Sequence, residues 1–517
     1  MNTAFIWLVP FLSPFIMVLF AFSCCIFWIY RKIVDILLRI RLGDKYGGLL
    51  NYGDAFSVFN DISPCMICTM VIVKSDKEID MVNLVKSRLQ KMIFDSPQDY
   101  SKMTSTLHTY AGYGYFLKNS VKLNESVKTF PEPQNETYDE EYVKKMVEKA
   151  YNSPLPYNNT ATWEIVMGEK PMVTKSGGKY IYRYPVHMRF HHLIGDGASK
   201  VAFICRLIGQ CDKDFGEEVF NGKHGSNSTK SDEGDYYFGL LKNIFETLKL
   251  IFYIIFFMLQ KRMELIHWRA SDNNALHGVE LSGKKIMVWK SEESVELVPL
   301  TKKIKNALPG MKFGNVVFAA VSAAFANYFK KYDAVLSNSI SVFSTLRMEF
   351  PRIEKNKPIP MENGSTAVLL ELPIKEASNL KQLLLKVKQN SEQSTYFEAL
   401  SNQLFMRYLF ALFPLSIRTQ LHDSGTYTAI ISNLPAGKRI VLHNDCYVEK
   451  MVAAPPNLRK IGVGIVIITY DDRYQIGLLV DKALIASQKQ AQELVDDVFC
   501  NIRLLAEEII GNKTKTV

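Results

Sequence analysis

From Ala4 to Tyr30 the chain carries no charged side chain over 27 positions, and Phe, Ile, Leu and Val dominate. In hydrocarbon every backbone N–H and C=O must be satisfied within the segment, which leaves the helix as the one solution for a single run. About 20 apolar residues at 1.5 Å each suffice to span, so this run is long enough to cross with tilt. Pro10 and Pro14 are expected to kink the helix or delay its start. A cleavable signal peptide has a basic stretch ahead of a shorter apolar core, and none precedes this run. Arg31, Lys32, Arg39, Arg41 and Lys45 follow it. The positive-inside rule then places the rest of the chain in the cytosol. Six N-x-S/T sequons, at Asn124, Asn135, Asn158, Asn227, Asn363 and Asn512, point the other way and are discounted as chance in an Asn-rich chain.

Beyond the anchor the chain reads as two α/β halves. Residues 1–44 form the transmembrane anchor with its basic flank, and 45–215 the first half. Residues 216–280 are a linker, and 281–517 the second half. In the first half, Met66–Val73 is an apolar strand and Asp80–Ile93 an amphipathic helix. Residues 120–139 read as a loop, Glu140–Ala150 as a charged helix and Trp163–Met167 as a short strand. Tyr180–Phe190 alternates as a long strand, and Ala198–Ile208 follows as a helix. In the second half, Gly314–Tyr328 and Leu380–Lys388 are helices. Ile461–Tyr470 and Tyr474–Val480 form a hairpin across Asp471-Asp472. Ser487 is placed to cap a last helix with apolar positions 491, 494, 495, 498, 499, 502, 505, 506 and 509. The apolar run Leu250–Leu259 is too short to span and is expected either on the membrane interface or in the core.

The 62 Lys and Arg against 52 Asp and Glu leave a net charge of +10, spread along the chain. No basic stripe suited to nucleic acid results, whereas a membrane surface or an anionic cofactor such as coenzyme A is compatible. Eight cysteines in 517 residues do not make a disulfide framework. Cys65 and Cys68 form C-x-x-C without a second pair at zinc spacing, so they are expected to be reduced and packed, and no metal site is expected.

The chemistry concentrates in His191-His192-Leu193-Ile194-Gly195-Asp196-Gly197, where a strand ends, turns through two glycines and enters a helix. Neighbouring strand residues face opposite sides, so the two imidazoles cannot both meet one substrate. A neutral imidazole suits proton abstraction from a hydroxyl that attacks a thioester, with the proton passing on to the leaving thiolate. Asp196 can brace the turn through backbone hydrogen bonds or an arginine, and Gly197 admits a ligand close to the backbone. There is no G-x-S-x-G nucleophile elbow, no Walker loop and no complete G-x-G-x-x-G.

This H-H-x-x-x-D-G run resembles the signature of coenzyme A-dependent acyltransferases and condensation domains. The chain as a whole resembles the wax ester synthase/diacylglycerol acyltransferase family over roughly residues 50–510. Asp54 resembles the family's early S-x-x-D, Trp163 its P-L-W segment and Gly314-Asn315-Val316 its N-D helix. Ser432-Asn433-Leu434-Pro435 resembles its S-N-V-P-G loop, and Thr469-Tyr470-Asp471-Asp472 its C-terminal end. Val316 stands where aspartate is usual, and Ala436 where glycine is. The resemblance implies a two-domain α/β fold of two similar mixed-sheet halves with a channel between them. It also implies His192 as the catalytic base, with His191, Asp196 and Gly197 as support and Asn315, Ser432 and Asn433 near the channel. The implied reaction is transfer of a fatty acyl group from acyl-CoA, a co-substrate and not a bound cofactor, to a long-chain alcohol, to diacylglycerol or to both. Membrane lipids are the implied surroundings, no nucleic acid is involved, and the endoplasmic reticulum is the expected location. A sterol, terpene or short-chain alcohol as acceptor, or a non-catalytic lipid-binding role, are the alternatives.

Overall fold

The computed structural model describes residues 3–51, 53–59, 64–133, 138–209, 274–332, 337–347, 357–393, 396–421, 427–443 and 445–511. The Leu250–Leu259 run and most of the linker lie outside the described residues.

A helix covers Thr3–Leu42 without interruption. Its backbone is already helical before Pro10 and passes through Pro14, so the prolines do not delay its start. Among the described residues no helix is long and apolar enough to cross a membrane. Of the Ala4–Tyr30 run, the side chains of 4–14, 16 and 17 lie outside the description. From Phe20 onward the helix meets the body through rings, Phe20 and Phe27 against Phe413 at 5.8 and 5.4 Å and Tyr30 against Tyr113 at 5.8 Å. Arg31 fixes the contact by donating to the carbonyls of Leu50 at 2.6 Å and Ala411 at 3.1 Å.

The strands of the first half are β1 (Tyr46–Leu49), β2 (Met66–Ser75), β3 (Thr106–Tyr110), β4 (Tyr113–Leu117), β5 (Val127–Thr129), β6 (Trp163–Met167), β7 (Met172–Ser176) and β8 (Lys179–His191). Those of the second half are β9 (Lys285–Ser291), β10 (Ser339–Arg347), β11 (Ser365–Pro373), β12 (Ala429–Gly437), β13 (Val441–His443), β14 (Cys446–Ala454), β15 (Val463–Tyr470) and β16 (Arg473–Asp481). The first sheet runs β13-β14-β2-β8-β6-β5, with β7 paired to β8, and the second runs β11-β10-β12-β15-β16-β9. The strands β1, β4 and β3 make a small third sheet under the N-terminal helix. Within the second sheet β10, β12 and β15 are parallel neighbours and the other pairs antiparallel, so both halves are mixed α/β.

The boundary at residue 281 holds along the chain but not in space. Between β12 and β15 the second half sends the hairpin β13–β14 across to the first sheet, where β14 pairs with β2 and β13 with β14. This puts β14 against β16, where a Cβ on Gly477 would collide with the Ala453 carbonyl. Glycine is used there because two backbones touch.

Local expectations hold where one chemical signal dominates. The final helix spans Gln488–Ile510 and buries all nine apolar positions of its stripe, but the Ser487 side chain makes no cap bond. Asp471 and Asp472 both take positive φ, 51° and 55°, as a two-residue hairpin turn demands. Asp80 caps the helix Met81–Leu89, which then widens into a π turn at Gln90–Phe94. The 120–139 segment holds a short helix, Leu123–Ser126, and β5, which pairs parallel to β6; neither is visible in its polar composition.

Candidate active site

The strand β8 is buried along its second half and delivers its last residue, His191, into the core. The His191 Nδ1 accepts from the Leu193 amide at 3.2 Å, and burial holds its pKa well below the usual histidine value. The chain then turns through a 3-10 helix, His192–Ile194, whose first amide bonds to the Cys65 carbonyl at 2.8 Å beside β2. That turn swings His192 to the opposite side, where it lines a cavity between the two halves. The expectation that one imidazole faces the channel and the other the core matches this geometry.

The His192 Nδ1 pairs with Asn363 Oδ1 at 3.1 Å. The amide oxygen can only accept, so Nδ1 carries the proton and Nε2 keeps its lone pair. Asn363 is held in turn: its Nδ2 donates to Asp54 Oδ1 at 3.3 Å and to the Leu193 carbonyl at 3.4 Å. Asp54, buried, is paired at 2.8 Å with Lys102, which also reaches the carbonyls of Leu193 and Met361. Burial pushes the Asp54 carboxyl up, and the Lys102 ammonium and Asn363 oppose it. The Asp54 motif at the start of the body thus closes a chain of contacts behind His192.

Desolvation, followed by the positive charge of Lys200, lowers the pKa of His192; Asp196 and Asn363 act the other way. The imidazole is therefore neutral at neutral pH, the form that can accept a proton.

Asp196 caps the helix Gly197–Ile208 by accepting from the Ser199 amide at 3.2 Å. It also forms an ion pair with Arg347 at the end of β10 and accepts from Gly364 N at 3.0 Å and Ser365 Oγ at 2.6 Å. Both carboxylate oxygens are engaged, three of these donors come from the second half, and nothing is left over for proton transfer. Asp196 therefore ties the histidine turn to the opposite half. Both partners foreseen for it, backbone amides and an arginine, are present. Gly197 lines the cavity, where a Cβ would stand 3.3 Å from Leu434.

The space among the lining atoms, open solvent at its mouth included, is about 870 Å³. One wall is β2, through Ile67 and Thr69, and the helix after Asp196, through Lys200, Val201 and Ile204; the facing wall is β12 and β15. Along β12 the residues Ile430, Ser432 and Leu434 line it, which follows from the period of two. Asn433 points the other way, and its Nδ2 stands 3.9 Å from where Gly314 would carry a Cβ. Asn315 is buried at the start of the helix Phe313–Tyr332, accepting from Lys312 N and donating to Ser391 Oγ, both at 2.8 Å. Ser432 thus belongs to the cavity, whereas Asn315 and Asn433 lie behind its wall.

Four polar residues of the site escaped the sequence reading. Asn363 figured only as a chance sequon; with both ends of its amide bonded inside the site, its role is internal. Lys102 and Arg347 act across long sequence separations and leave no local signal. Lys200 did leave one, a cation in the first turn of the helix Gly197–Ile208, followed by five uncharged residues before Arg206. Of the seven described cysteines, Cys65 is a cavity residue.

Two mixed sheets enclose a cavity, and a histidine is presented to it where a strand turns into a helix, an arrangement similar to the coenzyme A-dependent acyltransferase and condensation-domain fold. Residues 361–503 match the family model of the WS/DGAT C-terminal domain. In three dimensions it is similar to the wax ester synthase/diacylglycerol acyltransferase of Marinobacter aquaeolei VT8, at 14% identity and a TM-score of 0.53, over 89% of this chain and 99% of that one. It is also similar to the trichothecene 15-O-acetyltransferase TRI3 of Fusarium sporotrichioides, at 12% identity and a TM-score of 0.56, over 88% and 92%. A third similar structure is the starter condensation domain of rhizomide synthetase RzmA in complex with C8-CoA and Leu-SNAC, at 11% identity and a TM-score of 0.51, over 92% and 96%. No curated protein matches the chain by sequence.

Proposed function

We propose that this acyltransferase moves a fatty acyl group from acyl-CoA to a long-chain alcohol, to diacylglycerol or to both, with His192 as general base. The observation that carries the reading is the neutral imidazole, its Nδ1 fixed by Asn363 and its Nε2 free, at the wall of a largely aliphatic cavity. The acceptor hydroxyl gives its proton to Nε2 while its oxygen attacks the thioester carbonyl carbon. The tetrahedral intermediate collapses, the carbon–sulfur bond breaks, and the thiolate takes the proton back from the imidazolium. No covalent acyl-enzyme is needed. The complex of the similarly folded RzmA starter condensation domain with C8-CoA supports acyl-CoA as donor. Asp196 and Arg347 serve in this reading to hold the turn rather than to exchange protons.

A membrane setting is part of the proposal. The N-terminal helix, about 60 Å long at 1.5 Å per residue, exposes Phe15, Phe22, Ile26, Trp28 and Ile29 on its outward side. Its inner side packs on Phe413. Phe410, three residues earlier, packs on Phe56, and Phe56 lines the cavity. An apolar path therefore joins helix and cavity, as delivery of a lipid acceptor from a bilayer requires. Anchoring by this helix, with the body on the cytosolic side of the endoplasmic reticulum, fits the basic residues that follow it. Resistance to alkaline extraction and insensitivity to glycosidase are the expected results, and a glycosidase shift would reverse the orientation. A terpene-like acceptor is the second reading, favoured by the likeness to a trichothecene O-acetyltransferase.

The deciding experiment incubates membranes carrying the full chain with palmitoyl-CoA and either hexadecanol or diacylglycerol. Wax ester or triacylglycerol should form, and His192→Ala should lower the rate by about 10²- to 10⁴-fold, the usual contribution of a general base. An unimpaired His192→Ala variant would remove the mechanism.

A further inference from the structure

One cation in the cavity has no role in the steps above. Lys200 stands one helical turn after Asp196 and is 2% exposed, and its Nζ has no hydrogen-bond partner. It lines the same cavity as His192. The nearest carboxylate along its helix, Asp196, already receives Arg347, Ser365 Oγ and two backbone amides. The cavity's other polar side chains besides His192 and Asp196, namely Cys65, Thr69, Thr345, Ser365 and Ser432, include no carboxylate. Burial pushes the ammonium down to about 7, with Asp196 resisting. A desolvated amine with three unused donor positions is costly to keep, and an apolar side chain of the same length would fill the space without that cost. What complements it is a negatively charged oxygen arriving with substrate.

We propose that Lys200 is the anion-binding point of this cavity and donates to an anionic oxygen of the substrate. Two sources supply such an oxygen, given the acyl-transfer reading on which this inference rests. One is the thioester carbonyl oxygen. As the acceptor oxygen bonds to the carbonyl carbon, the C=O π pair moves onto that oxygen. Lys200 N–H then donates to it until the pair returns and the thiolate leaves. The other is a carboxylate carried by the acceptor, held as an ion pair while its hydroxyl reacts. In either case Lys200 and His192 divide the work, one meeting negative charge and the other taking the proton.

The test compares the full-length wild type with Lys200→Met, close in length and uncharged, and with Lys200→Gln as a second variant should the first fold poorly. Palmitate and hexadecanol, equal in chain length and differing in charge, are the binding probes, so the site is read without turnover. The wild type should bind palmitate in preference to hexadecanol. Lys200→Met should weaken palmitate about tenfold or more, leave hexadecanol unchanged, and unfold at the same or a higher temperature. Turnover separates the sources. With palmitoyl-CoA and hexadecanol, an oxyanion role predicts a fall in kcat of about 10²- to 10³-fold at unchanged KM, the usual loss of one oxyanion donor. A carboxylate role predicts unchanged kcat with hexadecanol and at least a tenfold higher KM for 16-hydroxyhexadecanoate. Palmitate binding that depends on Lys200 in a protein that turns over none of these acceptors would uphold the anion site while removing the proposed acceptors. A folded Lys200→Met protein with palmitate affinity, kcat and both KM values of the wild type overturns the inference.

Discussion

Replacing Asn363 by alanine tests how the site orients its base. In the wild type Asn363 Oδ1 accepts from His192 Nδ1 at 3.1 Å, and its amide is held by Asp54 at 3.3 Å. The substitution removes the acceptor that makes Nδ1 the protonated nitrogen, while the fold loses little. One neutral hydrogen bond is worth about 0.5–1.5 kcal/mol net, and Asp54 keeps its 2.8 Å pair with Lys102. The kinetic effect should be larger than the stability effect, because half or more of the imidazoles would present Nε2–H to the acceptor and could not take its proton. Where a histidine loses its orienting carboxylate, kcat falls by about 10⁴; a neutral amide is a weaker director, so we expect roughly 10- to 100-fold. The assay is steady-state transfer from palmitoyl-CoA, read as kcat and KM apart, with thermal unfolding beside it. A drop in kcat at constant KM and near-constant melting temperature is the expected result. Asn363→Asp gives the second arm: a carboxylate beside the imidazole stabilises the imidazolium and should move the acid limb of the pH profile upward. If Asn363→Ala keeps the wild-type kcat, the contact orients nothing and the argument fails.

The pH profile of the unmodified enzyme follows from the depressed pKa of His192. With His192 as the proposed base the neutral form is the active one, so the rate should hold steady below the ordinary histidine value of about 6.5 and fall only at lower pH; an acid limb centred at or above 6.5 in kcat would contradict the burial. Asp196→Asn removes one partner of the buried Asp196–Arg347 pair, a change that costs about 3–5 kcal/mol when a buried pair is broken in this way; calorimetry should show a clear loss of stability, and an unshifted transition would mean the pair is solvated. Gly477→Ala drives a methyl into the Ala453 carbonyl where β16 crosses β14. It should give insoluble or strongly destabilised protein, in contrast to Gly177→Ala at an open turn with nothing within 4 Å, whose cost is confined to the positive φ there.

Much of this protein was determined locally. The strand ending at His191, the turn through Gly195 and the helix from Gly197 follow from period-two alternation, two glycines and an aspartate cap, signals that act over a few residues. The parity of a strand and the turn after it were enough to send one histidine to the core and the other to the cavity. The final helix and the Asp471-Asp472 hairpin were equally plain, because burial of one face and positive φ leave direct marks on composition. Tertiary structure decided what those marks cannot carry. Asn315 and Asn433 looked like channel residues by their motifs, yet the pleat of β12 and the start of a buried helix turn them behind the wall. Asn363, Lys102 and Arg347 reach the histidine turn across separations of 171, 91 and 151 residues, and no window of sequence holds both ends of such contacts. The exchange of β13 and β14 into the first sheet is hidden for the same reason, since pairing depends on which edge is free and not on the strand alone. Hydrogen bonds and ion pairs between distant segments are selected by the packed core, and so the histidine turn was readable in the chain while the groups that hold it became visible only in the fold.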